Sequence, residues 1–370
     1  MYQCSPQREI LLLSATFCRC ATFILLVFCL QACATSGVPE QAEVPDYTEV
    51  YHPVINVAEL EIVEGNYEEA LAAYQQAFAA VPTPFARDYY NAAVSAVKLG
   101  DEKQAFDYLE QLVIKGVSLP YLERQQVFDS LQTSRQWKKF EKQYPKRRKR
   151  YEEAANLILR DDLDELYARD QYFRQAKGGL RVHGDTIRQI EADNITNLLN
   201  WINDYGYPGE ALIGVADTLE ELPRFSIVIQ RQTAARNGYD FKGILSKAVK
   251  EGRIAPQPAA YLLDQQAGNI MYGSRAFAKI SCRRCKENDK NYEKIQSLLL
   301  ESMSDEELAQ TDKRRKQLGL EPLQEYRKKV LHNAEDAQFK LNYDWSVKNY
   351  VAPSSEAADV LLERLTVAED

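Results

Sequence analysis

The chain has 370 residues, 45% hydrophobic and 27% charged, with a formal net charge of -8 and a pI near 5.3. That composition describes a folded chain of about two domains, and it excludes a disordered, collagen-like or polytopic membrane protein. With 54 acidic against 46 basic residues, global attraction to the nucleic-acid backbone is disfavoured and no nucleic-acid partner is expected.

Residues 21–30, ATFILLVFCL, form an apolar run of ten, preceded by Arg8 and Arg19 against the single acid Glu9. Ten residues at about 1.5 Å each fall short of a hydrocarbon core of roughly 30 Å. Residues 1–32 therefore read as a signal peptide and not as a permanent span. The run ends in Leu30-Gln31-Ala32-Cys33, which resembles the lipobox of bacterial lipoproteins, with Gln31 a less usual choice at its position. The resemblance implies cleavage before Cys33, acylation of its thiol and a lipid-anchored place in the bacterial cell envelope, because several acyl chains anchor stably. Ala34 in place of Asp implies the outer membrane. An ordinary secretory peptide with an incidental cysteine is the alternative. Residues 33–51 hold Gly37, Pro39 and Pro45 without an apolar period, so they are expected to form a flexible tether.

An internal repeat follows. Gly65-Asn66-Tyr67-Glu68-Glu69-Ala70 with Tyr74, Ala77 and Pro82 is echoed 35 residues later by Gly100-Asp101 with Ala105, Leu109 and Leu112. The pattern resembles the tetratricopeptide repeat, in which small residues stand where two antiparallel helices approach closely. Ala58, Ala70, Ala77, Ala92, Ala93 and Ala105 take those places here, so residues 54–115 are predicted to form four helices. A degenerate third unit from Tyr121 to about Tyr144, with Phe128, Leu131, Trp137 and Phe140, is predicted to cap an array spanning 52–145. The resemblance implies a protein or peptide partner held in a concave groove, although so short an array can also serve only as a packing module. Residues 138–150 carry eight basic residues to one acid and read as a solvated helix face or linker, with contact to anionic lipid headgroups as the alternative. Pro145 marks a predicted boundary.

Beyond Tyr151 the apolar residues keep a helical period: Ile195, Leu198, Leu199 and Ile202 form one stripe, and Phe241, Ile244, Leu245, Ala248 and Val249 another that ends at Gly252. Pro258 and Pro322 suit helix first turns, and Ser304 with Glu307 suits a capping box. Residues 151–335 are therefore expected to be helical, with at most a short hairpin near Asn269 to Gly273, and 336–370 to be a tail with a short helix. The predicted fold class is mainly α, a short tetratricopeptide-like helical repeat array followed by a mainly α second domain.

The second domain resembles a bacterial domain of unknown function, family 6624. The resemblance rests on Asp170-Gln171 with Arg174, Asp193-Asn194, Tyr205-Gly206-Tyr207-Pro208 with Ile213-Gly214, Gly252-Arg253-Ile254-Ala255-Pro256, Ala260-Tyr261-Leu262-Leu263-Asp264, Tyr272-Gly273-Ser274, and Asp312-Lys313-Arg314-Arg315 with Leu318-Gly319-Leu320. The chain departs from that pattern at Gln230, where the family carries histidine, at Gln265, where it carries arginine, and at Met271, where it carries glutamine. If the shared pattern marks a site, Asp170, Arg174, Asp193, Gly206, Gly214, Gln230, Asp264 and Tyr272 are expected to converge on one cleft. Asp170 and Arg174 stand at i and i+4, however, and can pair with each other without a substrate. Gln230 cannot act as a base, so binding is expected ahead of turnover.

His52, His183 and His332, the only histidines, lack metal-ligand spacing, and no Gly-rich phosphate loop or nucleophile elbow is present. No cofactor and no metal are expected. Cys282-Arg283-Arg284-Cys285 leaves a disulfide, free thiols, a redox pair or half a metal site open; a disulfide between cysteines three apart calls for a loop or a helix terminus. The sequence is read as a lipid-anchored envelope protein acting as a non-enzymatic protein-interaction or binding module. The alternative is an envelope hydrolase with a carboxylate-based site in the second domain.

Overall fold

The first helices arise where the sequence shows caps and small residues. The structure, a computed structural model, describes residues 45–368; Cys33, the leader and the tether up to Val44 lie outside the described residues. The tether prediction extends too far. Asp46 caps α1 (Tyr47–Val50) by accepting the Thr48 N–H, and Tyr47 and Tyr51 are 1% and 0% exposed. Two buried aromatic rings bring enough apolar area to order a stretch whose composition reads as turn.

Helices α2 (His52–Val63) and α3 (Tyr67–Ala80) form one hairpin, and α4 (Ala86–Lys98) and α5 (Glu102–Ile114) a second. Ala58, Ala70, Ala77, Ala92, Ala93 and Ala105 are all 0% exposed, so the small residues do lie at the helix crossings. Asp101 caps α5 through the Gln104 N–H at 2.9 Å. Short helices α6 (Leu119–Glu123) and α7 (Asp129–Gln132) and the long α8 (Arg135–Ala154) follow, burying Phe128, Leu131, Trp137 and Phe140. Helix α8 runs through Pro145, which corrects the predicted boundary. The reason lies in its packing: Arg147 pairs with Glu110, and Arg148 donates to the Gly116 carbonyl at 2.7 Å. The other cations of the basic run are exposed.

The helical second half comprises α9 (Leu157–Gln175), α10 (Gly179–Tyr205), α11 (Glu210–Ile213), α12 (Ser226–Ala234), α13 (Lys242–Lys250) and α14 (Pro256–Ala267). Leu163, Leu166, Leu198, Phe225, Ile229, Phe241, Leu245, Val249 and Leu262 form its core.

A sheet then replaces the expected helical end and tail. Strand β1 (Phe277–Cys282), helix α15 (Tyr292–Gln296) and strand β2 (Leu299–Glu301) precede α16 (Asp305–Gln317), which carries the Ser304–Glu307 capping box, and α17 (Leu323–Glu335). Strand β3 (Val347–Ala352), helix α18 (Ser355–Leu362) and strand β4 (Leu365–Val367) complete it. The order is β3-β1-β2-β4, with β1 and β3 parallel and the other pairs antiparallel. Residues 336–368 are thus half of a sheet and not a tail, and Asn269 to Gly273 form no hairpin. The fold remains mainly α.

The array, comprising the helices of residues 47–154, and the second half do not pack separately. Val215, Leu219, Phe339 and Leu341 belong to the core of the array, and the Val215 N–H donates to the Lys115 carbonyl at 3.1 Å. Lys329, on α17 and 1% exposed, binds Glu59 on α2 at 2.6 Å and Glu321 at 3.1 Å.

Candidate functional site

The eight residues expected to converge do not share one cleft: Asp170 pairs with Arg174 and Asp264 with Tyr272, and the other four stand apart. Asp170, 3% exposed, accepts from Arg174 and from Arg231 at 3.3 Å, and Arg174 also pairs with Glu191, so this carboxylate ties α9 to α12. Asp193 lies exposed on α10 and accepts from Gln189. Asp264 accepts the N–H groups of Tyr272 and Ser274 and the Ser274 hydroxyl, at 2.7 to 2.9 Å, which ties down the loop after α14. Burial holds the Asp264 carboxyl above the usual range against those hydrogen bonds. The Gln230 carbonyl accepts from Thr233, and Gly206 and Gly214 end α10 and α11 at φ +76° and +78°. A Cβ on Gly214 would stand 2.4 Å from the Tyr151 ring, so backbone conformation and space both select glycine there. None of the eight lines the cleft between the array and the second half, and Asp264 alone lines a separate pocket of about 320 Å³ with Tyr261, Gln265, Arg275, Glu301 and Lys348.

Cys282 and Cys285 form a disulfide with Cα atoms 5.5 Å apart. It sits at the end of β1 and not at a helix terminus, because Phe277 to Cys282 is extended and the chain bends directly after it.

An apolar-walled cleft opens where the array meets the second half. Its cavity volume is about 120 Å³, several times the roughly 10–15 Å³ that one water needs. Ile55, Val215, Leu219, Ile254, Leu320 and Leu341 supply apolar walls from both sides. Gly209 closes one end: a Cβ there would meet the Arg253 carbonyl at 2.1 Å, so only glycine lets these two strands of backbone approach.

Arg87, in the first turn of α4, is the most constrained polar group at the cleft. Its Nε donates to the Lys340 carbonyl at 2.6 Å, its Nη2 to the Asn342 carbonyl, and its guanidinium lies 3.9 Å from the centre of the Tyr343 ring. Next to it, Asn91 takes the Lys340 backbone at both ends, accepting its N–H at 2.8 Å and donating to its carbonyl at 3.2 Å. Tyr67 stacks on Phe339 at 5.9 Å. One face of the array therefore holds the chain's own Phe339 to Tyr343 segment.

Four residues that line this cleft carry buried polar atoms without a well-formed hydrogen bond among the described residues: His52 Nε2, Arg87 Nη1, Thr218 Oγ1, and both Nε2 and Oε1 of Gln257, although His52 lies beside the Val249 backbone and Arg87 beside the Tyr343 hydroxyl. Unpaired buried polar atoms cost about 1–3 kcal/mol each, so their gathering at one cavity calls for an explanation. Burial pulls His52 down to about 3, so it is a neutral imidazole. Asp88 is pushed up to about 7 by burial and by the Glu59 charge, against the Tyr51 hydroxyl that donates to it at 2.5 Å. Of the other acids, Glu59 pairs with Lys329, Glu321 with Lys329 and Arg315, and Glu210 with Lys115 and the Ala86 N–H, while Glu221 lines the cleft exposed. No group of three His, Cys, Asp or Glu able to hold a metal ion occurs among the described residues.

No family model, curated protein or solved structure matches the chain. The motif pieces behind the resemblance nevertheless contribute to the cleft, through Tyr207-Pro208, Arg253 to Pro256, and Leu320. The missed residues are Arg87, Thr218 and Gln257. The one local signal for Gln257 is its place between Pro256 and Pro258 in the first turn of α14, where the prolines fix the backbone.

Proposed function

We propose that the chain is a non-enzymatic binding module of the bacterial cell envelope, held to a membrane by lipid on Cys33, with its ligand seat in the cleft between the array and the second half. The clustering of partnerless buried polar atoms of His52, Arg87, Thr218 and Gln257 around one cavity carries this reading. The two hairpins are read as a tetratricopeptide-like array, supported by the 35-residue spacing and the buried alanines. The second half is read as the family 6624 domain on the motif order alone. Because one face of the array carries the Phe339 to Tyr343 segment, the seat is placed in the cleft beside that segment and not on the array alone.

Native mass spectrometry of the full chain, extracted in detergent from its own membranes, tests this. The wild type is expected to retain a small-molecule mass that Gln257→Leu and Ala216→Trp, at the cleft, both lose. A bare wild-type chain would overturn the reading. A hydrolytic reading finds support only in Asp88, whose titration near neutrality suits a general acid or base. Turnover of an amide or ester probe that disappears in Asp88→Asn would favour it.

A further inference from the structure

Helices α9 and α10 form a hairpin whose end projects from the second half. The last buried residues on its two arms are Asp170 on α9 and Ile187 on α10, and none of residues 171–186 is buried. At about 1.5 Å per residue the hairpin runs on about 8 Å past Asp170 and about 12 Å past Ile187. At this end Tyr172, Leu180 and Val182 are 70%, 61% and 62% exposed, and Phe173 lies half-buried against His183, their ring centres 5.3 Å apart. A single exposed apolar residue is ordinary, but three gathered on one projecting end mark a contact surface.

The charge at this end has one sign. Residues 171–184, QYFRQAKGGLRVHG, hold Arg174, Lys177 and Arg181 and no acid, in a chain of net charge -8. Arg174 turns inward to Asp170 and Glu191, whereas Lys177 and Arg181 are exposed and make no salt bridge among the described residues. The next acid, Asp185, pairs with Arg188. A stable protein interface takes about 20–30 residues from each partner, and a tip of fourteen residues supplies fewer. A bilayer surface asks for no complementary shape. Apolar side chains enter the boundary of headgroups and acyl chains to a depth of about 5–10 Å, which the projection of the tip matches, and lysine and arginine meet anionic headgroups.

We propose that the tip of the α9–α10 hairpin docks on the surface of an anionic phospholipid membrane, with Tyr172, Leu180 and Val182 entering the interface and Lys177 and Arg181 binding headgroup phosphates. This contact depends neither on the cleft nor on the proposed lipid at Cys33.

Tryptophan fluorescence of the full chain with vesicles tests the assignment. Leu180→Trp places a reporter at the tip, and Val57→Trp, on α2 at a side chain 51% exposed, is the control; each is read as the difference from the wild type, which carries Trp137, Trp201 and Trp345. In vesicles of phosphatidylglycerol and phosphatidylcholine that contain a nitroxide-labelled lipid, the tip reporter should be quenched and the control should not. Any anchor at Cys33 is common to both reporters, so the comparison does not rest on it. Adding Lys177→Glu and Arg181→Glu, both at exposed side chains, should lower the ratio of quenched to unquenched tip by about thirtyfold or more, through the loss of two cations at an anionic surface. Vesicles of phosphatidylcholine alone should show a similar loss. An unquenched tip reporter, or equal quenching of both reporters, would overturn the proposal. Quenching that persists undiminished in phosphatidylcholine alone and in the doubly substituted chain would overturn the role given to anionic headgroups. A tip reporter whose emission shifts to the blue in native membranes but stays unquenched in vesicles would assign the tip to a protein partner and overturn the membrane assignment.

Discussion

Asp88 shows how position alone changes the chemistry of a residue. In sequence it is one acid among many; in the fold, burial and the Glu59 charge raise its pKa from 3.8 to about 7. The folded state then binds the proton more tightly than the unfolded state, so the stability it contributes is present below about pH 4 and is lost as pH rises to about 7. Asp88→Asn keeps an oxygen for the Tyr51 hydroxyl and cannot ionise. Urea unfolding at about pH 5 and about pH 8 should therefore show the variant losing less stability than the wild type, by about 1.4 kcal/mol for each pH unit between 5 and the folded pKa near 7. Parallel pH dependences would contradict the assignment. The same residue scale shows why the site was hard to read. Asp170, Asp193 and Asp264 looked like chemistry because they are acids in a shared pattern, yet two of them hold local structure and one faces solvent. Arg87, Thr218 and Gln257 carry no motif; only burial without a partner distinguishes them.

Among the elements, α2 to α5 were legible because each start and crossing is marked locally, by Gly65-Asn66, Gly100-Asp101 and the buried alanines. The sheet was not. Strands β2 and β4 have three residues each, too short for a period of two, and β1 finds its parallel partner β3 seventy residues on. The link between α2 and α17 is likewise invisible to periodicity, since it consists of Lys329 buried between Glu59 and Glu321, with Asn56 alongside. Against burial, which lowers it, Glu321 and Glu59 hold the Lys329 ammonium above its usual range. Lys329→Met would leave two buried carboxylates short of a cation. A loss of about 3–5 kcal/mol is expected in chemical denaturation, and a loss below about 1 kcal/mol would mean that the network contributes little.

For the whole molecule, the sequence divided the chain at Pro145, whereas the structure runs α8 through that point and shares one core between the array and Val215, Leu219, Phe339 and Leu341. No helix among the described residues is long and apolar enough to cross a membrane. On the proposed anchor, Cys33→Ala is expected to move the chain from the membrane pellet to the soluble fraction or leave it unprocessed; a processed variant still in the pellet would refute lipid attachment at that residue. The cleft is the part of the account on which function depends, and native mass spectrometry of the full chain extracted in detergent, wild type beside Gln257→Leu, tests it most directly. A small-molecule mass retained by the wild type and lost in the variant is predicted. A bare wild-type chain, or a mass that the variant retains unchanged, would contradict the account.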